Sequence, residues 1–224
     1  FHHPPYTKGS HDSDIEQQLI EMREFIMPIL ESNGVDIVFT GHSHIYERSM
    51  LMDGAYATPT VAENVILDDG NGTYRKSAGL NAHEGVIQVV AGHGGTHLNR
   101  KGTMPVMKKV VVEHGSVIID IDGDTLTGVM VNSEGRRRDR FRIVKRGKVT
   151  PKRISTPKQV PPYVNFKYLA VDAQMLERTA SGDTRVNVSI PPIAMNGVTA
   201  QIKWSTVGTS WTVQPPEASL ELST

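Results

Sequence analysis

The sequence predicts an α/β domain followed by an all-β module. Three observations carry that expectation. Residues 1–40 read as strand, helix and strand in turn, the order of an α/β layer. From residue 45 the apolar pattern turns to β. From residue 167 it turns again, to short alternating stretches between Gly and Pro-Pro pairs.

Composition supports a folded chain. The 224 residues carry 24 Lys+Arg against 24 Asp+Glu, with 38% hydrophobic and 21% charged, which is ordinary globular usage. Zero net charge argues against a chain built to coat nucleic acid or an anionic membrane, so neither is an expected partner. No apolar run approaches the roughly 20 residues of a membrane span. Cysteine is absent, which excludes disulfides, thiolate zinc sites and a Cys nucleophile.

The elements follow in order. Residues 1–6 read as the end of a buried strand entering a loop, with Pro4-Pro5 stopping any helix. Ser13 or Asp14 is the expected cap of the helix that follows, with Glu16 in its first turn. Ile15, Leu19, Met22, Ile26 and Ile29-Leu30 recur at helical spacing. Pro28 should kink that helix or split it, and Asn33-Gly34 should end it. Residues 35–39 form a short, nearly continuous apolar run that suits a sheet covered on both faces. Further strands are expected at 46–50, 86–90, 116–121, 126–131 and 140–144, with Asp122-Gly123-Asp124 as a hairpin turn. Residues 53–82 lack periodicity and read as a long irregular excursion.

Domains are expected at 1–146, a basic, Pro-rich linker at 147–164, and an incomplete β-sandwich at 165–224. Charge is segregated along the chain. Residues 1–64 hold ten acids against Lys8, Arg23 and Arg48; residues 136–153 hold ten Lys/Arg against Asp139 alone. With Phe141 as its one aromatic, the basic stretch reads as a solvated strand face rather than a nucleic-acid surface.

Histidine carries the functional signal. Of nine histidines, eight lie at or before His97 and the ninth is His114. His42 and His44 stand at i and i+2 just past a strand, in Gly41-His42-Ser43-His44. Ligands in an α/β layer bind at the C-terminal ends of strands. Two imidazoles spaced this way suit one metal each in a two-metal site. His2 follows the neighbouring strand and faces the same crevice; alternation does not choose between His2 and His3. His11, on the loop before the helix, is placed to overhang the site, as an anion contact or a proton donor.

Taken together, these segments resemble a known family. Phe1-His2-His3-Pro4-Pro5-Tyr6, the helix, and Gly41-His42-Ser43-His44-Ile45-Tyr46-Glu47-Arg48 are similar to the second half of a calcineurin-like metallophosphoesterase domain, most of all the purple acid phosphatases. Residues 85–95, ending in Gly92-His93-Gly94-Gly95, resemble the family's late strand and glycine loop, and residues 115–122 its closing hairpin.

The resemblance implies the C-terminal half of a four-layer α/β-β-α sandwich, followed here by a partial Ig-like sandwich. It implies a dinuclear centre of Fe, Zn or Mn, with His2 and His42 on one metal and His44 on the other. His11 is the implied catalytic and substrate-binding histidine, and His93 a further substrate contact or a loop-packing residue. The implied reaction is hydrolysis of a small phosphate monoester by a metal-bound hydroxide. A phosphodiesterase or nucleotidase is the alternative within the family, and a non-catalytic exported binding protein with a decayed site the alternative outside it. An extracellular, periplasmic or cell-surface location is implied too.

The family's upstream Asp ligands and Asn-His pair have no counterpart in this sequence. The chain therefore reads as a fragment, expected to be inactive alone. Weaker features are His83 and His97; Asp120, Asp122 and Asp124, which read as a hairpin rather than a calcium loop; and Trp204 and Trp211, which read as sandwich core.

Overall fold

The computed structural model describes residues 1–155 and Pro157 with their side chains and, beyond them, the backbone of four strands. The chain divides into two compact units, Phe1–Tyr163 and Val164–Thr224.

In the first unit the helical stretch is α1 (Gln17–Glu21), a π-helical turn over Met22–Ile26, and α2 (Met27–Ser32). The helical stretch runs unbroken from Gln17 to Ser32, so Pro28, in the first turn of α2, does not split it; a wider π-helical turn precedes the proline instead. The cap differs from expectation. Glu16 is the N-cap residue and makes no side-chain cap bond. Ser13 and Asp14 are used elsewhere: Thr7 N donates to Ser13 Oγ (2.9 Å) and Thr60 N to Asp14 Oδ1 (2.9 Å).

The buried stripe also differs. Leu19, Arg23, Met27 and Glu31 face inward at intervals of four, while Ile15, Phe25 and Ile29 are exposed. The π turn rotates the face by one residue, so an ordinary helical spacing misplaces Ile26 and Ile29.

The strands are β1 (Ile37–Thr40), β2 (Tyr46–Ser49), β3 (Leu51–Met52), β4 (Ile66–Asp68), β5 (Tyr74–Lys76), β6 (Ile87–Ala91), β7 (Met107–Val111), β8 (Gly115–Asp122), β9 (Thr125–Asn132) and β10 (Arg137–Lys145). One sheet has the order β1-β6-β2-β7, with β1 and β6 parallel and β2 antiparallel to both its neighbours. A second has the order β5-β10-β9-β8. β3 and β4 form a small antiparallel pair. The strands expected at 35–39, 46–50, 86–90, 116–121, 126–131 and 140–144 are all present. β7 was not anticipated, nor were β3, β4 and β5, of which β4 and β5 lie within the irregular excursion. The hairpin forms as read, with Asp122 opposite Thr125 and Gly123 at φ 53°.

Two apolar clusters give the layer order. Met27 and Tyr6 pack with Val38 and Met107 on one face of the first sheet. Ile87, Val89 and Tyr46 pack with Tyr74, Phe141, Ile143 and Met130 of the second sheet on the other. Helix, sheet and sheet thus stack, and β1 is covered on both faces, as its apolar run required. Residues 1–6 are not a strand. They run beside the end of β1, where Gly41 N donates to His2 O (3.0 Å).

The first part of the expected linker packs on this unit: Val149 N donates to Ser77 Oγ (2.8 Å) and Ile154 N to Ile66 O (2.7 Å). The rest of it, residues 158–164, lies outside the described residues. In the second unit, β11 (Asp172–Arg178) pairs with β12 (Thr184–Ser189), and β13 (Val198–Lys203) with β14 (Glu217–Leu222), both antiparallel. Trp204 and Trp211 lie outside the described residues.

Candidate functional site

The carboxyl end of β1 turns sharply. Ser43 N donates to Gly41 O (2.6 Å) and Ile45 N to Ser43 O (2.9 Å), two successive three-residue turns. His42 between them has φ 60°, the left-handed region that a residue with a Cβ enters only when its surroundings hold it there.

Those surroundings are specific. Ser43 is fully buried, with its Oγ 2.8 Å from Thr7 Oγ1. Thr7 Oγ1 donates to Glu47 Oε2 (2.5 Å), and Lys8 N donates to Glu47 Oε1 (3.2 Å). Burial pushes the Glu47 carboxyl up to about 7, against these hydrogen bonds. His44 N donates to Ser10 Oγ (2.8 Å), and Gly92 lies so close that a Cβ there would overlap Ser43 O.

The result is a convergence of imidazoles. His42 Nδ1 lies 3.2 Å from His2 Nε2. The His11 ring stacks on His42 at 3.8 Å, and His44 meets His11 edge-on at 6.5 Å. His3 also packs against His42, at 4.5 Å, so it does not point away from His2. His2, His11, His42 and His44 line a cavity of about 550 Å³ with Gly41, Gly92 and Thr96; His3 does not.

Burial and the neighbouring imidazoles of His11, His3 and His2 lower the His42 pKa to about 4. A neutral His42 imidazole with its Nδ1 turned on His2 is in the state a metal ligand requires. The donor set therefore fits a transition-metal cation bound by nitrogen.

Glu16 joins this group, which the sequence reading did not foresee. His11 Nδ1 and Glu16 Oε2 are 2.7 Å apart, and His11, Glu16 and His42 offer ligand atoms within 4.8 Å of one another. Partial burial works against the charge, yet the Asp12 N–H and His11 hold the Glu16 carboxyl below the usual range. Its one sequence signal was a carboxylate at the helix start, five residues after His11.

His93 is placed differently from the other four. Itself part of the glycine loop, it is buried, edge-on to Tyr46 at 5.4 Å, and does not line the cavity.

No protein-family model matches the chain. Purple acid phosphatase 18 of Arabidopsis thaliana is 35% identical to it over 71 residues, 31% of this chain and 15% of the plant protein. The structure of purple acid phosphatase PPD1 from yellow lupin (Lupinus luteus) seeds matches with a TM-score of 0.50 and 24% identity. Over these stretches the chain is similar to purple acid phosphatases. The lupin match shows the fold and covers 65% of this chain and 24% of that one, so the chain spans a minor part of each relative's length. Among its described residues no helix is long and apolar enough to cross a membrane.

Proposed function

We propose that this chain supplies the His2, His11, His42 and His44 side of a dinuclear metal centre that hydrolyses phosphate monoesters. The observation that carries the reading is the braced left-handed turn at His42, which brings its ring against His2 and His11 over one cavity. His2 and His42 hold one cation and His44 the other, of iron, zinc or manganese; Glu16 keeps His11 oriented over the opening. When bound, such metals supply an activated water and neutralise charge on phosphoryl oxygens. His11 is placed to contact the phosphate or to give a proton to the leaving group. His93 anchors its own glycine loop against Tyr46 rather than touching substrate.

On this reading the two sheets are the inner layers of the four-layer sandwich, the second unit is an Ig-like binding module, and the protein is exported. The test is hydrolysis of an aryl phosphate monoester and a matched diester by the protein with its natural flanking sequence, with and without His42→Ala. Metal-dependent monoester hydrolysis that falls by roughly 100-fold or more in the variant supports the reading, since even outer-shell changes cost 10–100-fold. Equal rates in the two proteins sink it. The 224-residue chain alone should show no robust rate.

A further inference from the structure

A second group of ligand-capable side chains lies outside the histidine cavity. Glu31 stands in α2, Asp53 just after β3 and His83 in the loop before β6. They offer one ligand atom each, all within 4.8 Å of one another. We propose that Glu31, Asp53 and His83 form a separate metal site for a divalent transition cation of the zinc class, which pins three chain segments together. This inference does not rest on the proposed phosphatase reading.

The donor set selects the class. One imidazole with two carboxylates suits zinc and its neighbours, whereas calcium and magnesium favour oxygen alone. The spacing is close to what such a cation needs. Asp53 Oδ1 and His83 Nδ1 are 2.9 Å apart, and tetrahedral ligand atoms about 2.0–2.1 Å from zinc stand roughly 3.3 Å from each other. That pair needs only a few tenths of an ångström of opening to share the ion.

The remaining bonds leave the right atoms available. Arg153 Nη2 donates to Asp53 Oδ2 (2.8 Å), so Oδ1 is the oxygen that faces His83. Gly54 N donates to Glu31 Oε2 (2.9 Å), and Tyr56 OH donates to the same oxygen. Glu31 Oε1 is buried with no hydrogen-bond partner, in a residue only 2% exposed. A carboxylate oxygen left that way is costly, and a cation would satisfy it.

Arg153 is the cationic partner of Asp53, whereas Glu31 is held by the neutral donors Gly54 N–H and Tyr56 OH, so a divalent cation would offset the carboxylate charge that the guanidinium leaves uncovered. The His83 side chain is 59% exposed, which provides an entry path and room for water as a fourth ligand.

The test is zinc titration by calorimetry on the full chain carrying His2→Ala, His42→Ala and His44→Ala, which removes the first cavity's ligands. One equivalent is expected to bind. Adding His83→Ala, at an exposed position that leaves the core intact, should weaken binding at least tenfold, as should the near-isosteric Glu31→Gln. No zinc uptake in the parent variant, or an affinity unchanged by either addition, overturns the proposal. Should the parent variant fail to fold, crystals of the unmodified chain soaked in zinc decide it. An anomalous peak bonded to His83 Nδ1 supports the site, and its absence there refutes it.

Discussion

Arg48 on β2 grips Asp139 on β10 through two bonds, Nε to Oδ2 at 2.7 Å and Nη2 to Oδ1 at 3.0 Å. Both groups are nearly sealed from water, and the pair joins the two sheets. Tyr46 OH adds a third bond to Asp139 Oδ2 at 2.8 Å, and Arg48 also donates to the Tyr74 hydroxyl. Asp139 is the one acid in the basic stretch 136–153. Its replacement strands a buried guanidinium, so Asp139→Ala should cost about 3–5 kcal/mol. Urea denaturation of the first unit measures this, and a loss below 1 kcal/mol would refute the account.

The same pair makes stability pH-dependent in a defined direction. Burial opposes the Asp139 charge, but the Arg48 and Tyr46 bonds hold its carboxyl below the ordinary 3.8. The unfolded chain therefore binds this proton more readily than the folded one. The contribution is fully present above pH 3.8 and is lost as pH falls through the lower, folded value. Comparing the unmodified chain with Asp139→Asn by urea denaturation, the stability gap should narrow from about pH 4 downward. A gap that widens on acidification contradicts the assignment.

Arg23 acts on the candidate site from a distance. It is fully buried, and its Nη1 donates to Pro5 O (3.0 Å) and Ser13 O (2.7 Å), clamping both ends of the loop that carries His11. Arg23→Met keeps the bulk and strands both carbonyls, at about 1–3 kcal/mol each. Zinc affinity at the histidine cavity should fall 10–100-fold, the usual effect of losing an orienting contact. An unchanged affinity alongside a lowered melting temperature would limit Arg23 to a folding role.

Two glycines of one loop should behave oppositely. A Cβ on Gly92 would overlap Ser43 O, the backbone that sets the His42 turn, whereas a Cβ on Gly94 meets nothing within 4 Å. Gly92→Ala should lower zinc affinity at least tenfold and cost about 1–3 kcal/mol of stability. Gly94→Ala should change neither. Equal effects of the two substitutions on zinc titration would show that the close approach is unimportant.

Much of the fold was legible because its signals are local. The strand after Asn33-Gly34 and the hairpin at Gly123 each follow from a few adjacent residues. The strands β3, β4 and β5 were not, because two or three residues carry too little periodicity to identify, and in β7 Lys108-Lys109 interrupt the apolar run. The inward face of the helix was misread because one extra residue in the π turn shifts every later position.

The sequence by itself determined that His42 and His44 stand on a strand end, that His2 and His11 belong to the same half of the chain, and which family the segments resemble. Those facts are local in spacing and residue type. Only the tertiary structure decided that Glu16 holds His11, that His93 turns inward onto Tyr46, that Asp139 is the counter-ion of Arg48, and that Glu31, Asp53 and His83 meet. Each of these depends on which side chain faces which across packed layers. That choice is settled by burial and by the need to pair every buried charge, and no local pattern in the chain encodes it.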